Sequence, residues 1–199
     1  MIGIQHIATY FPDQKISTTD IPGRSSLTQE EVEYFDSLGV KSVRMDDDED
    51  GYSLAKKACD QLMNKGKYEG KEIDLIIFIQ CRLPEYFMSS SAAKLQDELG
   101  AENAMVYSIS DLGCTDMSMA LKQAKDFLIA NEQAENVLIC YGNKPYSPSR
   151  YRYPVTVYGD GGIAVMVGRT ERNQIRDISI VTDGKFWDLF KVEYKNKFF

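Results

Sequence analysis

The stretch Ser108-Ile-Ser-Asp-Leu-Gly-Cys-Thr-Asp-Met-Ser-Met119 joins a strand-like run to a helix-like run, and this junction decides the fold. Residues 104–109 are mostly apolar and predict a strand. From residue 117 to residue 128, apolar side chains recur three and four positions apart, which is the spacing of one buried helix face. The sequence therefore predicts that Cys114 lies at a strand-to-helix corner.

A cysteine at such a corner is a candidate nucleophile. The first turn of a helix presents unpaired backbone N–H groups and a partial positive charge, and both favour a thiolate over a thiol. Gly113 permits a close backbone approach, and Asp111, Thr115 and Asp116 belong to residue types that start helices. The alternative is that Cys114 is a small buried apolar side chain, as many free cysteines are. The local sequence leaves both interpretations open.

Composition limits the class of protein. A chain of 199 residues with 43% hydrophobic content is long enough for one globular core. Its net charge of −7 argues against a nucleic-acid-binding surface. No apolar run approaches the roughly 20 residues that cross a bilayer, and the chain does not open with a signal-like segment. We therefore expect a cytoplasmic protein with neither nucleic acid nor membrane as a partner.

Cysteine spacing and acidic residues bear on metal binding. The four cysteines, Cys59, Cys81, Cys114 and Cys140, form no Cys-x-x-Cys pair, so neither a zinc site nor a disulfide scaffold is indicated. The acidic run at residues 46–50 does not match the spacing of a calcium loop and is interpreted as a solvated loop rather than a metal site. We expect no metal and no cofactor.

Apolar strand patterns alternate with amphipathic helix patterns through most of the chain. Strands are predicted at residues 2–10, 75–79, 104–109, 137–141, 155–167 and 175–181. Helices are predicted to start at Thr28 with a capping box to Glu31, at Ser53 with a serine cap, at about Ser90 and at Met117. This order predicts a layered α/β fold with a largely parallel central sheet.

Two motifs follow the last predicted helix. Lys144, Arg150 and Arg152 stand among tyrosines and could form a basic patch for a phosphate group or an acidic carrier protein, with a solvated loop as the alternative. The cluster Gly159-Asp-Gly-Gly162 has no lysine after it and precedes a strand pattern. It is therefore interpreted as a structural turn rather than a phosphate-binding loop.

Three stretches together resemble the N-terminal half of the β-ketoacyl-acyl carrier protein synthase III family, within the thiolase superfamily. They are Ile2-Gly-Ile-Gln-His-Ile-Ala-Thr-Tyr-Phe-Pro12, the Leu112-Gly-Cys114 corner with its helix, and Tyr158-Gly-Asp-Gly-Gly-Ile-Ala-Val-Met-Val167. The resemblance implies a thiolase-like half, with a mixed, mostly parallel five-stranded sheet and helices on both faces. We expect residues 1–182 to form this domain, and residues 183–199 to be a C-terminal tail or the start of a second half.

The resemblance also implies an acyltransferase. Cys114 would take an acyl group from a thioester of coenzyme A or acyl carrier protein, and a decarboxylative Claisen condensation would follow. Arg152, Phe87 and Met88 are implied as substrate-binding residues, the last two in a segment at a dimer boundary. Asp111 and Asp116 depart from the family pattern, which has small or apolar residues at these positions.

The family stabilises the carbanion of this reaction with a histidine and an asparagine from its second half. The single histidine of this chain, His6, lies in the first strand pattern and is interpreted as a hydrogen-bonded structural residue. We therefore expect a homodimer, or a partner that carries the histidine and asparagine half. The alternative is a shortened, non-catalytic relative that acts as a partner or scaffold subunit.

Overall fold

The computed structural model describes residues 1–80, 88–145 and 149–189. Its strands and helices follow one another in a mixed α/β order. They are β1 (Ile2–Tyr10), β2 (Lys15–Ser17), α1 (Gln29–Ser37), β3 (Ser42–Arg44), α2 (Gly51–Gly66), β4 (Leu75–Ile79), α3 (Ser91–Leu99), β5 (Met105–Ile109), α4 (Asp116–Ala130), β6 (Asn136–Asn143), β7 (Tyr151–Arg152), β8 (Thr156–Val157) and β9 (Gly161–Arg169).

The main sheet has five strands in the order β1-β9-β6-β4-β5. Strand β4 pairs in parallel with β5 and β6, whereas β9 is antiparallel to both β6 and β1. Four of the five strands therefore run in one direction, and the prediction of a mixed, mostly parallel sheet is confirmed. Ile79 is in register with both Ile109 and Tyr141, so β4, β5 and β6 end at the same edge of the sheet.

Helices cover both faces of this sheet, as predicted. All five residues of β4 are buried because the strand contributes alternate side chains to two cores. Ile76 and Phe78 belong to the core that contains residues of α2 and α3. Leu75, Ile77 and Ile79 belong to the core on the other face, which contains the Ala120, Ala124 and Leu128 side chains of α4.

A third, smaller core lies around Phe35 and joins α1 to strands β3 and β8. Helix α1 begins with the predicted capping box, in which Thr28 and Glu31 satisfy each other's backbone N–H groups. The antiparallel β7–β8 hairpin belongs to the same region, and the Tyr34 hydroxyl donates a hydrogen bond to the Pro154 carbonyl at 2.5 Å. This core holds the hairpin that carries Arg152.

The predicted start of α2 at Ser53 is wrong by two residues. Asp50 is the N-cap: its carboxylate accepts the Ser53 backbone N–H at 2.6 Å, while the Ser53 hydroxyl accepts the Asp50 N–H at 2.9 Å. Ser53 is thus the third helical residue of a capping box. Within the acidic run, Asp47 and Asp48 are exposed in a loop, as predicted, whereas Asp50 caps α2 and Glu49 pairs with Lys57.

The strand predicted at residues 175–181 is also wrong. The segment pairs with β1 only at its start. Gln174 forms an isolated bridge with Gly3, and the Ile175 N–H donates to the Ile2 carbonyl. Beyond that point the chain leaves the sheet, and Ile180 and Val181 are exposed. An alternating pattern makes a segment compatible with a strand, but pairing also requires contact with a free edge.

Candidate active site

Cys114 lies between β5 and α4, as the sequence predicts. A single turn of 3-10 helix, Gly113–Thr115, connects the loop after Ile109 to the first residue of α4, Asp116. The Cys114 side chain is exposed, whereas Cys59 and Cys140 are fully buried. The interpretation of Cys114 as a small buried apolar side chain is therefore wrong, and Cys59 and Cys140 are the cysteines to which it applies.

The backbone around Leu112 gives this turn its shape. Asp111 and Gly113 have φ angles of 72° and 58°, both in the left-handed region. The Leu112 carbonyl accepts hydrogen bonds from the Thr115 N–H at 3.2 Å and from the Thr115 hydroxyl at 2.8 Å. The Leu112 N–H donates to the Asp116 carboxylate at 3.2 Å. Neighbouring residues thus satisfy both backbone polar groups of Leu112.

One backbone donor of the turn is left over. The Asp116 N–H donates to the Gly113 carbonyl, and the Thr115 N–H to that of Leu112. The Cys114 N–H makes no hydrogen bond to any residue that the structure describes. The exposed thiol of Cys114 can attack the carbon of a thioester carbonyl, while the available N–H of the same residue donates a hydrogen bond to the carbonyl oxygen. This N–H would supply half of an oxyanion hole.

Sheet topology brings other chain segments to the same edge as Cys114. Strand β4 ends beside β5, where the Gln80 N–H donates to the Ile109 carbonyl at 2.8 Å. Strand β6 ends at Asn143, which pairs with Gly161 at the start of β9. Carboxyl ends of parallel strands are where α/β proteins place their binding sites. This edge therefore carries Cys114 at one end and the loop around Asp160 further along.

Asp160 lies at the centre of a buried charge cluster. Its carboxylate accepts hydrogen bonds from both terminal nitrogens of Arg150, and both residues are 2% exposed. The Lys144 ammonium lies 3.0 Å from the same carboxylate, and the Asp46 N–H donates to it at 3.0 Å. Two of the three cations of the predicted basic patch thus point inward. The predicted exposed basic patch and its alternative, a solvated loop, are therefore both wrong for Lys144 and Arg150.

The glycines near Asp160 serve close packing. A Cβ atom on Gly162 would overlap the Leu54 carbonyl oxygen in the first turn of α2, and one on Gly142 would overlap that of Gly51. Both glycines let the helix backbone approach β6 and β9 directly. This contact supports the interpretation of the Gly159–Gly162 cluster as structural.

The remaining predicted site residues occupy different places. Arg152 is half-buried in the β7–β8 hairpin, where it pairs with Thr156. Met88 precedes α3 and is 88% exposed. Phe87 and Cys81 lie outside the described residues. Substrate binding by Arg152, Met88 and Phe87 stays a prediction.

His6 is far along the sheet from Cys114, since it lies on β1 and the order of strands separates β1 from β5 by three strands. Its Nδ1 atom is 2.8 Å from the Tyr68 hydroxyl, which itself donates to the Gln5 side chain at 2.9 Å. This bonding accords with a structural histidine.

The buried cysteines have an environment unlike that of Cys114. Burial, and next the hydrogen bond with the Cys59 thiol, raise the pKa of the Cys140 thiol well above its ordinary value.

Within residues 1–80, 88–145 and 149–189, no cluster of three histidine, cysteine or carboxylate side chains could hold a metal ion. Over the same ranges, no helix combines the length and the apolar character needed to span a bilayer.

Sequence reasoning missed the charge cluster. The Gly-Asp-Gly motif draws attention to Asp160, but its partners lie 10 and 16 residues upstream in a polar loop, with no spacing that marks them as buried. The only sequence signal of a buried charge here is Asp160 itself, a polar residue between two glycines directly before a strand pattern.

Comparisons with known proteins point to one family. The family model described as 3-Oxoacyl-[acyl-carrier-protein (ACP)] synthase III matches residues 110–184, which include both Cys114 and Asp160. A β-ketoacyl-[acyl-carrier-protein] synthase III from Campylobacter jejuni strain RM1221 is 29% identical, over 98% of this chain and 60% of the relative. One from Phocaeicola vulgatus is 30% identical, over 92% of this chain and 54% of the relative.

Solved structures agree. The crystal structure of 3-oxoacyl-[acyl-carrier-protein] synthase III from Aquifex aeolicus VF5 matches with a TM-score of 0.70 and 26% identity, over 86% of this chain and 55% of that one. The chain spans about 60% of the length of the first curated relatives it matches. With the five-stranded layered fold and the cysteine corner, these likenesses show that the chain is similar to the β-ketoacyl-acyl carrier protein synthase III family of the thiolase superfamily.

Proposed function

We propose that this chain is the acyl-accepting part of a synthase III-like acyltransferase, with Cys114 as the nucleophile. The Cys114 thiolate attacks the carbonyl carbon of an acyl-thioester of coenzyme A or acyl carrier protein. A new carbon–sulfur bond forms, and the donor thiolate leaves when the tetrahedral intermediate collapses. The observation that carries the proposal is the exposed thiol next to its own available N–H, which stabilises the oxygen of that intermediate.

The second step of the proposal is a decarboxylative condensation. A malonyl-thioester loses carbon dioxide, and the electron pair of the broken carbon–carbon bond attacks the acyl carbon, which releases the Cys114 thiolate. The carbanion needs hydrogen-bond donors, which the resemblance assigns to a histidine and an asparagine. His6, the single histidine of the sequence, is on β1 and bonds to Tyr68, so we propose that a further segment or a second chain supplies them.

The chain matches 54–60% of the length of these relatives. In the proposal, residues 1–182 form the acyl-accepting domain, and residues 183–199 are a C-terminal tail or the start of a second half. Arg152, Phe87 and Met88 contact the acyl donor. Assembly is either a homodimer or a complex with a chain that carries the missing residues. We place the protein in the cytoplasm, where its thiols stay reduced and acyl-thioesters are available.

Intact-mass spectrometry tests the first step. We expect purified chain incubated with short and long acyl-coenzyme A, or with acyl carrier protein donors, to gain the mass of one acyl group, located by peptide mapping on Cys114. Cys114→Ala should gain none, whereas Cys59→Ala, a matched change at a buried cysteine, should still be acylated. Absence of an adduct with every donor would contradict the proposal and favour the non-catalytic partner subunit.

A further inference from the structure

Asp116 is a buried carboxylate two residues after the candidate nucleophile. It is the first residue of α4 and is only 2% exposed. A carboxylate at a helix N-terminus is favoured by the helix dipole, but an exposed position would provide that benefit without the desolvation cost. A buried carboxylate needs hydrogen bonds, and Asp116 accepts one from the Leu112 N–H at 3.2 Å. Its position thus has a local consequence for the turn that carries Cys114.

That turn has a clear competing conformation. Left-handed φ angles cost free energy at a non-glycine residue such as Asp111, so residues 111–115 would otherwise relax toward the right-handed helix that follows. In an extended α4, the Cys114 N–H would donate to the carbonyl of Ser110, four residues earlier. It would then no longer be available to a substrate.

Hydrogen bonds to Leu112 oppose this relaxation. Asp116 takes the Leu112 N–H, and Thr115 takes the Leu112 carbonyl through both its N–H and its hydroxyl. The Asp116 and Thr115 side chains hold Leu112 in place between Asp111 and Gly113, which both have left-handed φ angles. The turn then keeps its 3-10 hydrogen bonds and does not become part of α4. The direction of the Cys114 N–H follows from this arrangement.

We propose that Asp116 is a positioning residue, which acts through Leu112 to keep the Cys114 N–H available for the oxygen of a bound thioester. This inference rests on the proposed role of Cys114 as acyl acceptor. The acceptor oxygen of Asp116 performs the role, and its negative charge is not required. An asparagine in its place would retain an acceptor oxygen, and an alanine would not.

The test compares Asp116→Asn and Asp116→Ala by two reactions of the same thiol. Acylation by a thioester needs an oxyanion donor, whereas alkylation by iodoacetamide does not. We expect Asp116→Ala to lower the acylation rate by about 10-fold or more without slowing alkylation of Cys114. This is less than the roughly 100-fold loss on removing an oxyanion donor outright, because the Cys114 N–H is displaced but not removed. Asp116→Asn should acylate within about 3-fold of the original chain. Asp126→Ala, which removes an exposed carboxylate of the same helix, is the matched control and should change neither rate.

Equal acylation rates in the original chain and Asp116→Ala would overturn the inference, as would an equal loss in Asp116→Asn. If Asp116→Ala fails to fold, Thr115→Val removes the other side-chain bond to Leu112 at an exposed site and should give a smaller loss of acylation with normal alkylation. An unchanged ratio of the two rates in that variant would also contradict it.

Amide hydrogen exchange separates this inference from the proposed function, because it needs no acyl donor. In the original chain we expect the Leu112 amide to be protected and the Cys114 amide to exchange quickly. Asp116→Ala should deprotect Leu112 and slow exchange at Cys114. If no thioester acylates the chain but these shifts occur, the proposed function fails while the positioning role stands. If exchange is unchanged, the positioning role fails.

Discussion

Asp160 shows how much one buried side chain can determine at this edge of the sheet. Its carboxylate contacts Arg150 and Lys144 from one loop and the Asp46 backbone from a distant segment of the chain. Next to it, the Asn143 side chain donates to the Gly159 carbonyl at 2.7 Å. Asp160 therefore ties the end of β6 and the start of β9 to the small core around Phe35.

We expect Arg150→Met to lower the free energy of unfolding by about 3–5 kcal/mol, because it leaves a buried carboxylate short of its main partner. Urea unfolding measures the change. The control is Lys122→Met, which breaks an exposed pair with Asp126 on α4 and should cost about 0.3–0.5 kcal/mol. Similar costs for the two variants would mean that the Asp160 cluster contributes no more than a surface ion pair.

Helix α2 owes its position to two glycines on neighbouring strands. Gly142 of β6 and Gly162 of β9 face each other in register, and both lie under the first turn of α2. The same helix begins with the Asp50–Ser53 capping box, and the acidic residue before that box pairs with Lys57. Cap and glycines together fix where the helix starts and how closely it approaches the sheet.

We expect Gly162→Ala to destabilise the fold by about 1–3 kcal/mol, the usual cost of overpacking, because its Cβ would collide with the Leu54 carbonyl oxygen of α2. The matched control is Gly184→Ala, where an added Cβ meets no atom within 4 Å. It should stay within about 0.5 kcal/mol of the original chain in thermal or urea unfolding. A Gly162→Ala protein as stable as this control would show that α2 can shift away without cost.

The elements that the sequence predicts well are those whose signals are local. The continuous apolar run Leu75–Ile79 is the central β4, and the Thr28–Glu31 pattern is a capping box. The sequence predicts Ser53 as the cap of α2 rather than Asp50, because both residue types favour a helix start and only the structure shows which of them precedes the first turn.

The candidate site divides in the same way. The Cys114 corner follows from a strand pattern, a glycine and a helix pattern in sequence, whereas the contact of Asp160 with Lys144 and Arg150 depends on how a loop folds back. Likewise, the alternation in residues 175–181 says nothing about whether a sheet edge lies within reach. Long-range contacts of this kind have no local pattern from which to predict them.

At the scale of the whole molecule, several partly buried ionisable groups favour their protonated forms. Burial raises the pKa of the Tyr52, Tyr68 and Tyr107 phenols above the ordinary value, with the nearby Glu98 and Glu72 charges adding to the effect for the first two. Hydrogen bonding to Glu49 raises the pKa of the Lys57 ammonium. The net charge of −7 also becomes more negative at alkaline pH.

These shifts predict a loss of stability at alkaline pH. In the unfolded chain the tyrosines release their protons near pH 10, whereas in the folded protein they hold them to higher pH. Their contribution is complete below about pH 10 and declines above it, because the unfolded chain then binds fewer protons than the folded one. Urea unfolding at intervals between about pH 8 and pH 11 measures the slope. Tyr107→Phe keeps the ring, removes one ionisable hydroxyl and should show a shallower decline than the original chain. A free energy of unfolding that stays constant or rises above pH 10 would contradict the prediction.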